Sequence, residues 1–297
     1  MKLPHPIPYQ GSKRALAPSI GTFLPSTIKT FYEPFAGSAA MTIYVAHHGI
    51  AKRFIISDSL PDIIDLWDQI INDPKEMAKR YREVWLGQKE GNTNYFNEVR
   101  ERYNNQKDPI DLLYLICRCV KNAIRFNAKG NFTQSVDKRR LGMSPDKMEL
   151  AAYAVSGLLK GRVDLRKGDW LDTTIDAKEA DFVYMDPPYF GTSQGRDKRY
   201  FQQLSIDRLI EGLNSLNSRN LRYALSYDGT TGDKTYAPPL PNELNLNQIH
   251  LHAGRSSQST LSGLKEDTIE SLYLSANIST KEMSNQNVNK DGQLFLV

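Results

Sequence analysis

The stretch from residue 30 to residue 71 constrains the fold more than any other part of this 297-residue chain. Thr30-Phe31-Tyr32-Glu33-Pro34-Phe35 is a short β-prone run broken by proline. It ends in Ala36-Gly37-Ser38-Ala39-Ala40, small residues that let a backbone approach a ligand closely. Residues 40–48 carry a helical pattern. Residues 53–58 read as a second strand with a carboxylate, Asp58, at its C-terminal end. Ser59 then reads as a helix N-cap, with Asp62 three residues on. Ile63, Ile64, Trp67, Ile70 and Ile71 are spaced for one helical face. Strand, glycine turn, helix, strand, acid, helix is the order of a nucleotide-binding βαβ unit. A turn-rich basic segment, residues 8–14, and a helical stretch to about residue 23 precede it.

The alternation stops near residue 72 and resumes near residue 161. Residues 72–160 read as an inserted, mostly helical module rich in Arg, Tyr and Asn. Between 118 and 147, Arg118, Lys121, Arg125, Lys129, Lys138, Arg139, Arg140 and Lys147 face only two acids, Asp137 and Asp146. A charge run is usually a solvated face. Here Asn122, Asn127, Asn131, Phe126 and Phe132 are interleaved with it, which favours a nucleic-acid surface. Strands resume at 163–170 and 180–186. The second is a short apolar run between polar ends, as in a central parallel strand. A helix at 206–217 and strands at 222–227 and 270–276 follow, and 279–291 reads as a polar, mobile tail. The expected fold is α/β, a doubly wound Rossmann-like sheet. Residues 1–71 and 161–297 form one discontinuous catalytic domain, and 72–160 is inserted into it.

Composition excludes more than it identifies. A net charge of +4 is only mildly basic. Cys117 and Cys119 are the two cysteines. Thiols two apart on a helix point about 200° from each other, so they read as buried thiols, not as a disulfide or a metal pair. His5, His47, His48, His250 and His252 show no ligand spacing with acids or thiols, and no metal is expected. No signal peptide and no long apolar run is evident, which favours the cytoplasm over a membrane.

The most specific motif is Asp186-Pro187-Pro188-Tyr189, at the end of the apolar run. An exocyclic base amine is a weak nucleophile because its lone pair is delocalised into the ring. Catalysis needs acceptors for its two N–H groups as the nitrogen meets a methyl group. A carboxylate supplies one. A carbonyl of the proline pair supplies the other, held by the fixed proline φ. The tyrosine ring suits stacking on a base swung out of the duplex.

These elements, in this order, resemble the DNA adenine methylase family, the D12 class of N6-adenine methyltransferases. The resemblance covers residues 6–276. It rests on Tyr9-Gln10-Gly11-Ser12-Lys13, Glu33-Pro34-Phe35-Ala36-Gly37-Ser38-Ala39, Asp58, Arg125-Phe126-Asn127-Ala128-Lys129-Gly130-Asn131-Phe132, Asp186-Pro187-Pro188-Tyr189 and Ser226-Tyr227-Asp228. Two positions depart from it: Ala39 stands where the family has glycine, and Thr133 where it has asparagine.

The resemblance implies S-adenosylmethionine as methyl donor, with S-adenosylhomocysteine as product. It places Tyr9 and Lys13 by the methionine end and Phe35, Gly37 and Ser38 beneath it. Glu33 is counted with them through the same motif. It gives Asp58 the ribose hydroxyls, a role that a strand-end acid also has on physical grounds. It sets Asp169 and Trp170 beside the cofactor adenine, although Trp170 reads equally well as a core aromatic.

For double-stranded DNA, Arg125, Asn127, Lys129 and Asn131 suit base edges and phosphates. Lys138, Arg139 and Arg140 suit phosphates alone. Arg196, Lys198, Arg199 and Tyr200 lie in a loop after the catalytic tetrapeptide, and Arg255, Ser256 and Ser257 in a second basic loop. The expected activity is base-flipping methylation of adenine N6 in duplex DNA, by a monomer, with a cognate restriction endonuclease as a possible companion. Alternatives are an RNA or protein amine methyltransferase, and a DNA-binding module without catalysis. Adenine is preferred to cytosine only by the resemblance.

Overall fold

The computed structural model describes residues 3–89, 94–188, 204–231, 234–235, 237–255 and 267–278. A short helix, α1 (Ala17–Gly21), leads into β1 (Ile28–Glu33), α2 (Ala40–His47), β2 (Ala51–Asp58) and α3 (Pro61–Asn72). Four helices follow: α4 (Pro74–Gly87), α5 (Tyr95–Gln106), α6 (Pro109–Arg118) and α7 (Pro145–Leu159). Then come β3 (Val163–Lys167), α8 (Trp170–Thr173), β4 (Phe182–Met185), α9 (Ile206–Ser218) and β5 (Arg222–Thr231). The short β6 (Lys234–Thr235), β7 (Asn247–Arg255) and β8 (Asp267–Leu274) follow, and three 3-10 turns, Lys13–Ala15, Val120–Asn122 and Asn242–Leu244, complete the described elements.

The strand order is β3-β2-β1-β4-β5-β8-β7, with β6 paired to β5. β1 to β5 run parallel, and β8 is antiparallel to both β5 and β7. The chain winds outward from β1 to β3, then returns to lay β4 on the other side of β1. Phe31 pairs with Phe182 and Tyr32 with Val183 across that reversal. Ligands of doubly wound sheets bind outside the carboxyl ends of the strands at such a switch. The glycine turn leaves β1 there, and Asp186-Pro187-Pro188 leaves β4 beside it.

Side-chain alternation along the strands builds two cores. Phe31, Phe54, Ile56, Phe182 and Tyr184 face one layer, which also holds α2, α3 and α7 residues. Tyr32, Ile55, Val183, Met185 and Leu225 face the other, with Leu209, Leu213 and Leu216 of α9. This is the period of two expected of a pleated strand. The described residues of 72–160 contribute to the sheet's own core. Leu112, Leu113 and Ile116 of α6 and Val155 and Leu159 of α7 lie in the same cluster as the sheet.

Three local expectations are corrected. The cap of α3 is Leu60, not Ser59, because Pro61 opens the helix and Leu60 N–H donates to Asp58 Oδ1 at 2.9 Å. The strand expected over 163–170 ends at Lys167, since Asp169 caps a new helical turn by accepting from Leu171 N–H at 2.9 Å. Cys119 lies past the end of α6 in an extended conformation, so the two thiols share no helix. Both are free and buried, and burial pushes both up to about 12. Among the described residues no helix is long and apolar enough to cross a membrane.

Candidate active site

The loop after β1 is pinned from three directions. Gly37, at φ 45°, donates its N–H to Asp58 Oδ2 at 3.0 Å and accepts from Trp67 Nε1 at 3.0 Å. Ser38 and Ser12 share a hydroxyl hydrogen bond of 2.7 Å. Glu33, 3% exposed, turns its carboxylate onto the first turn of α2 and accepts from Met41 N–H at 3.4 Å and Thr42 N–H at 2.7 Å. Those are orphan donors of a helix N-terminus, and a carboxylate suits them. Burial still dominates and pushes Glu33 up to about 7. Both of its oxygens are committed to the backbone of α2, so Glu33 shapes the turn rather than facing into it. A Cβ on Gly37 would sit 3.5 Å from the Tyr9 ring, so the glycine leaves a narrow space under that ring.

Asp58 ties the loop to the end of β2. Burial pushes it up to about 6, against the backbone N–H groups of Leu60 and Gly37, which favour its charge. Further along the edge, the Phe35 and Trp170 rings lie 5.8 Å apart. Trp170 is 2% exposed and its indole nitrogen finds no acceptor among the described residues. Asp169 faces Arg208 Nη2 at 3.3 Å. A strand-end carboxylate, a glycine backbone and an aromatic pair with an unanswered indole donor fit a nucleoside with an attached amino acid.

Asp186 lies at the centre. Its Oδ1 is 2.8 Å from Lys13 Nζ, and its side chain is 21% exposed. Lys13 is buried, donates to Gly11 O at 3.2 Å and reaches Glu270 Oε2 at 3.4 Å. Burial raises Asp186 to about 6; Lys13 opposes that shift and Glu270 adds to it. Behind Asp186, the Tyr184 hydroxyl bonds Ser226 Oγ at 2.8 Å, fixing the end of β4 against β5. Pro187 is buried and Pro188 half-buried. Lys13, expected beside the cofactor, pairs with the Asp186 carboxylate. Glu270 went unnoticed in the sequence, because its contact with Lys13 spans almost the whole chain and no local pattern marks it.

The basic segment is more ordered than its sequence implies. Phe126 and Phe132 pair across a hairpin and pack on Tyr103. Asn127 Oδ1 accepts from Lys129 N–H at 2.9 Å and Asn131 N–H at 3.1 Å, with Gly130 at φ 73°. The Asn127 oxygen therefore builds the turn, and Lys129 is presented at its tip. Asp137, with its side chain 3% exposed, accepts from Arg140 Nε at 2.8 Å and Arg139 Nε at 3.4 Å. Arg125 is half-buried, whereas Lys138, Arg139 and Arg140 are exposed. Thr133 Oγ1 closes the hairpin by donating to Arg125 O at 3.3 Å. Tyr189, Arg196, Lys198, Arg199, Tyr200, Ser256 and Ser257 lie outside the described residues, as does the Arg255 side chain. Among the described residues no group of three or more His, Cys, Asp or Glu is arranged to hold a metal ion.

The family model described as D12 class N6 adenine-specific DNA methyltransferase matches residues 9–284. A type II methyltransferase, M.FokI of Planomicrobium okeanokoites, is 24% identical over 287 residues, 90% of this chain and 42% of that one. The type II methyltransferase M1.LlaDCHI of Lactococcus lactis subsp. cremoris is 22% identical over 89% of this chain and 94% of its own. The DNA adenine methylase of Escherichia coli (strain K12) is 24% identical over 61% of this chain and 63% of its own. The chain thus spans less than half the length of M.FokI and nearly all of M1.LlaDCHI.

Proposed function

The chain belongs to the D12 class N6 adenine-specific DNA methyltransferase family, and from that premise we propose that it methylates N6 of an adenine swung out of duplex DNA, with S-adenosylmethionine as donor. The observation that carries the proposal is the seat of Asp186: at the carboxyl end of β4, beside the glycine turn that leaves β1. S-adenosylmethionine, when bound, supplies a methyl carbon on a sulfonium that departs as a neutral thioether. Gly37, Ser38 and Tyr9 would hold its amino-acid end, Asp58 its ribose hydroxyls, and Phe35, Asp169 and Trp170 its adenine. Glu33 acts through the loop.

At the target, Asp186 accepts one amine N–H and a proline-pair carbonyl accepts the other. These acceptors hold electron density on the nitrogen, to which S-adenosylmethionine would supply the methyl group, and one amine proton would leave for solvent. Tyr189 stacks on the extruded base. Residues 72–160 act as the recognition module. Lys129 at the hairpin tip and Arg125 read or grip the groove, with Asn131 beside them. Lys138, Arg139 and Arg140 hold phosphates. Arg196, Lys198, Arg199, Tyr200, Arg255, Ser256 and Ser257 supply further contacts. Two of the relatives are named type II methyltransferases, which supports a modification role here; a cognate endonuclease as companion is part of the same proposal.

Transfer of tritium from labelled S-adenosylmethionine tests this. Label is expected in N6-methyladenine after digestion of duplex DNA. Label confined to RNA, protein or cytosine overturns the proposal.

A further inference from the structure

We propose that Glu270 is a positioning residue for methyl transfer: by sharing Lys13 with Asp186, it keeps the reacting edge of the site net negative when the target amine arrives. The inference rests on Asp186 being the group that meets the amine.

Three charged side chains converge from distant parts of the chain. Lys13 precedes α1, Asp186 follows β4, and Glu270 lies on β8, the antiparallel strand beside β5. Lys13 Nζ lies between the two acids, 2.8 Å from Asp186 Oδ1 and 3.4 Å from Glu270 Oε2. The lysine is enclosed; each acid side chain is 21% exposed. Lys13 therefore shares its charge across both acids, and it meets Asp186 where water screens little.

A lone Lys–Asp pair would serve this chemistry poorly. The nitrogen becomes positive as it takes the methyl carbon and before it releases a proton. A carboxylate stabilises that charge through its field. An ammonium at hydrogen-bond distance cancels most of that field, leaving a neutral dipole at the reacting edge. A second carboxylate on the same ammonium restores one net negative charge. It also competes for the lysine's N–H donors, leaving Asp186 lone pairs for the incoming amine. Lys13 in turn keeps the paired acids from repelling each other and holds Asp186 ionised.

The other groups facing this cluster do not replace Glu270. Glu33, reaching in from β1, is tied by both oxygens to the backbone of α2. Tyr184 of β4 is a phenol pushed well above its ordinary range by burial and bonded to Ser226 of β5. Asp186 feels Lys13 and Glu270 with opposite signs. Removing Glu270's charge must therefore make Asp186 easier to ionise.

The test uses the full chain with Glu270→Gln and Glu270→Asp. The readouts are the pH dependence of single-turnover methyl transfer, the 13C carboxyl titration of Asp186 without ligands, and binding of S-adenosylhomocysteine and DNA. Glu270→Gln is expected to slow transfer by about tenfold, with both affinities kept. The acid limb of the rate profile and the Asp186 titration both move to lower pH. Glu270→Asp recovers most of the rate. An unmoved Asp186 titration overturns the inference, as does a rate loss matched by equal losses of ligand affinity and melting temperature. If the unaltered protein transfers no methyl to adenine in DNA, the proposed function fails. The Asp186 titration still decides the charge coupling in that case.

Discussion

The carboxyl edge of the sheet and the segment from 118 to 147 both depend on charge, but they place it differently. At the sheet edge the charges are few, enclosed and paired: the Lys13 side chain is 3% exposed and Asp186 21%. In the basic segment they are many and solvated: Arg139 is 84% exposed and Arg140 51%. Enclosed pairs act in a poorly screened setting, and removing one partner strands the other. Exposed charges act additively and fade with salt. The proposed chemistry uses the first arrangement and the proposed grip on DNA the second. Asp137 is the exception that joins them, an enclosed acid beneath two exposed arginines.

The comparison is tested hardest at Asp186. Asp186→Ala is expected to reduce methyl transfer by at least about 10²–10³-fold, the scale of losing one preorganised electrostatic contact. S-adenosylhomocysteine affinity, measured by calorimetry, should survive, because the Gly37 and Asp58 cradle does not include Asp186. Normal turnover would show that the enclosed carboxylate is structural and remove the distinction between the regions.

The exposed region should respond in another currency. Arg139→Ala with Arg140→Ala is expected to lower the slope of log affinity against log salt by about one unit per lost phosphate contact. The rate at saturating DNA should barely change. Asp137→Asn keeps both arginines but loosens their seat on the carboxylate. It should weaken DNA binding less than the double substitution and leave the salt slope near its original value. A full loss of slope in Asp137→Asn would place the grip in the geometry of that seat rather than in the charges.

Much of this was legible in sequence wherever the physics is local. The run from β1 through Asp58 to α3 needed only strand alternation, small residues and helical spacing. Asp186-Pro187-Pro188 announced itself because two prolines after an apolar strand have few other uses. What stayed hidden depends on contacts between distant segments. The pairing of Lys13 with Asp186, 173 positions away by subtraction of their residue numbers, left no trace in the local pattern. That Asn127's oxygen also holds a turn with Gly130 was not legible either. β7 was missed because its polar positions alternate with only Ile249 and Leu251, too short an apolar face to stand out. The core that α6 and α7 share with the sheet was not visible, because helical spacing says which face is apolar but not what it meets.

A titration of stability separates the buried acids from the exposed ones. Burial raises the folded-state affinity of Glu33 for its proton, from the ordinary 4.5 to about 7. Between those values the folded chain holds a proton that the unfolded chain has released. Stability therefore falls as pH rises through that window and levels off above it. Asp58 and Asp186, both raised to about 6, add to the slope in the lower part of the window. The ligand-free melting temperature should rise on going from pH 7.5 to about pH 5.5. Glu33→Gln should flatten the upper part of that rise, and an unaltered curve would mean that Glu33 does not hold its proton in the folded state.

The smallest effect is expected at Ala39, the residue that departs from the family pattern. It caps α2 at φ 46°, ψ 42°, a left-handed conformation that favours glycine. The strain of an alanine there is roughly 1–2 kcal/mol. Its methyl group is fully enclosed and contributes about 0.8 kcal/mol by leaving water. Glycine would also cost about 0.5–1 kcal/mol in chain entropy. The opposing contributions nearly cancel, so Ala39→Gly should change stability by under about 1 kcal/mol in urea unfolding. Gly37→Ala meets the same opposing contributions at φ 45°, but its methyl group fills the space under the Tyr9 ring. Two glycine–alanine exchanges two residues apart should therefore differ in kind: one near neutral, the other losing cofactor affinity. Equal losses at both would show that the turn is limited by backbone strain alone, not by the space it leaves for a ligand.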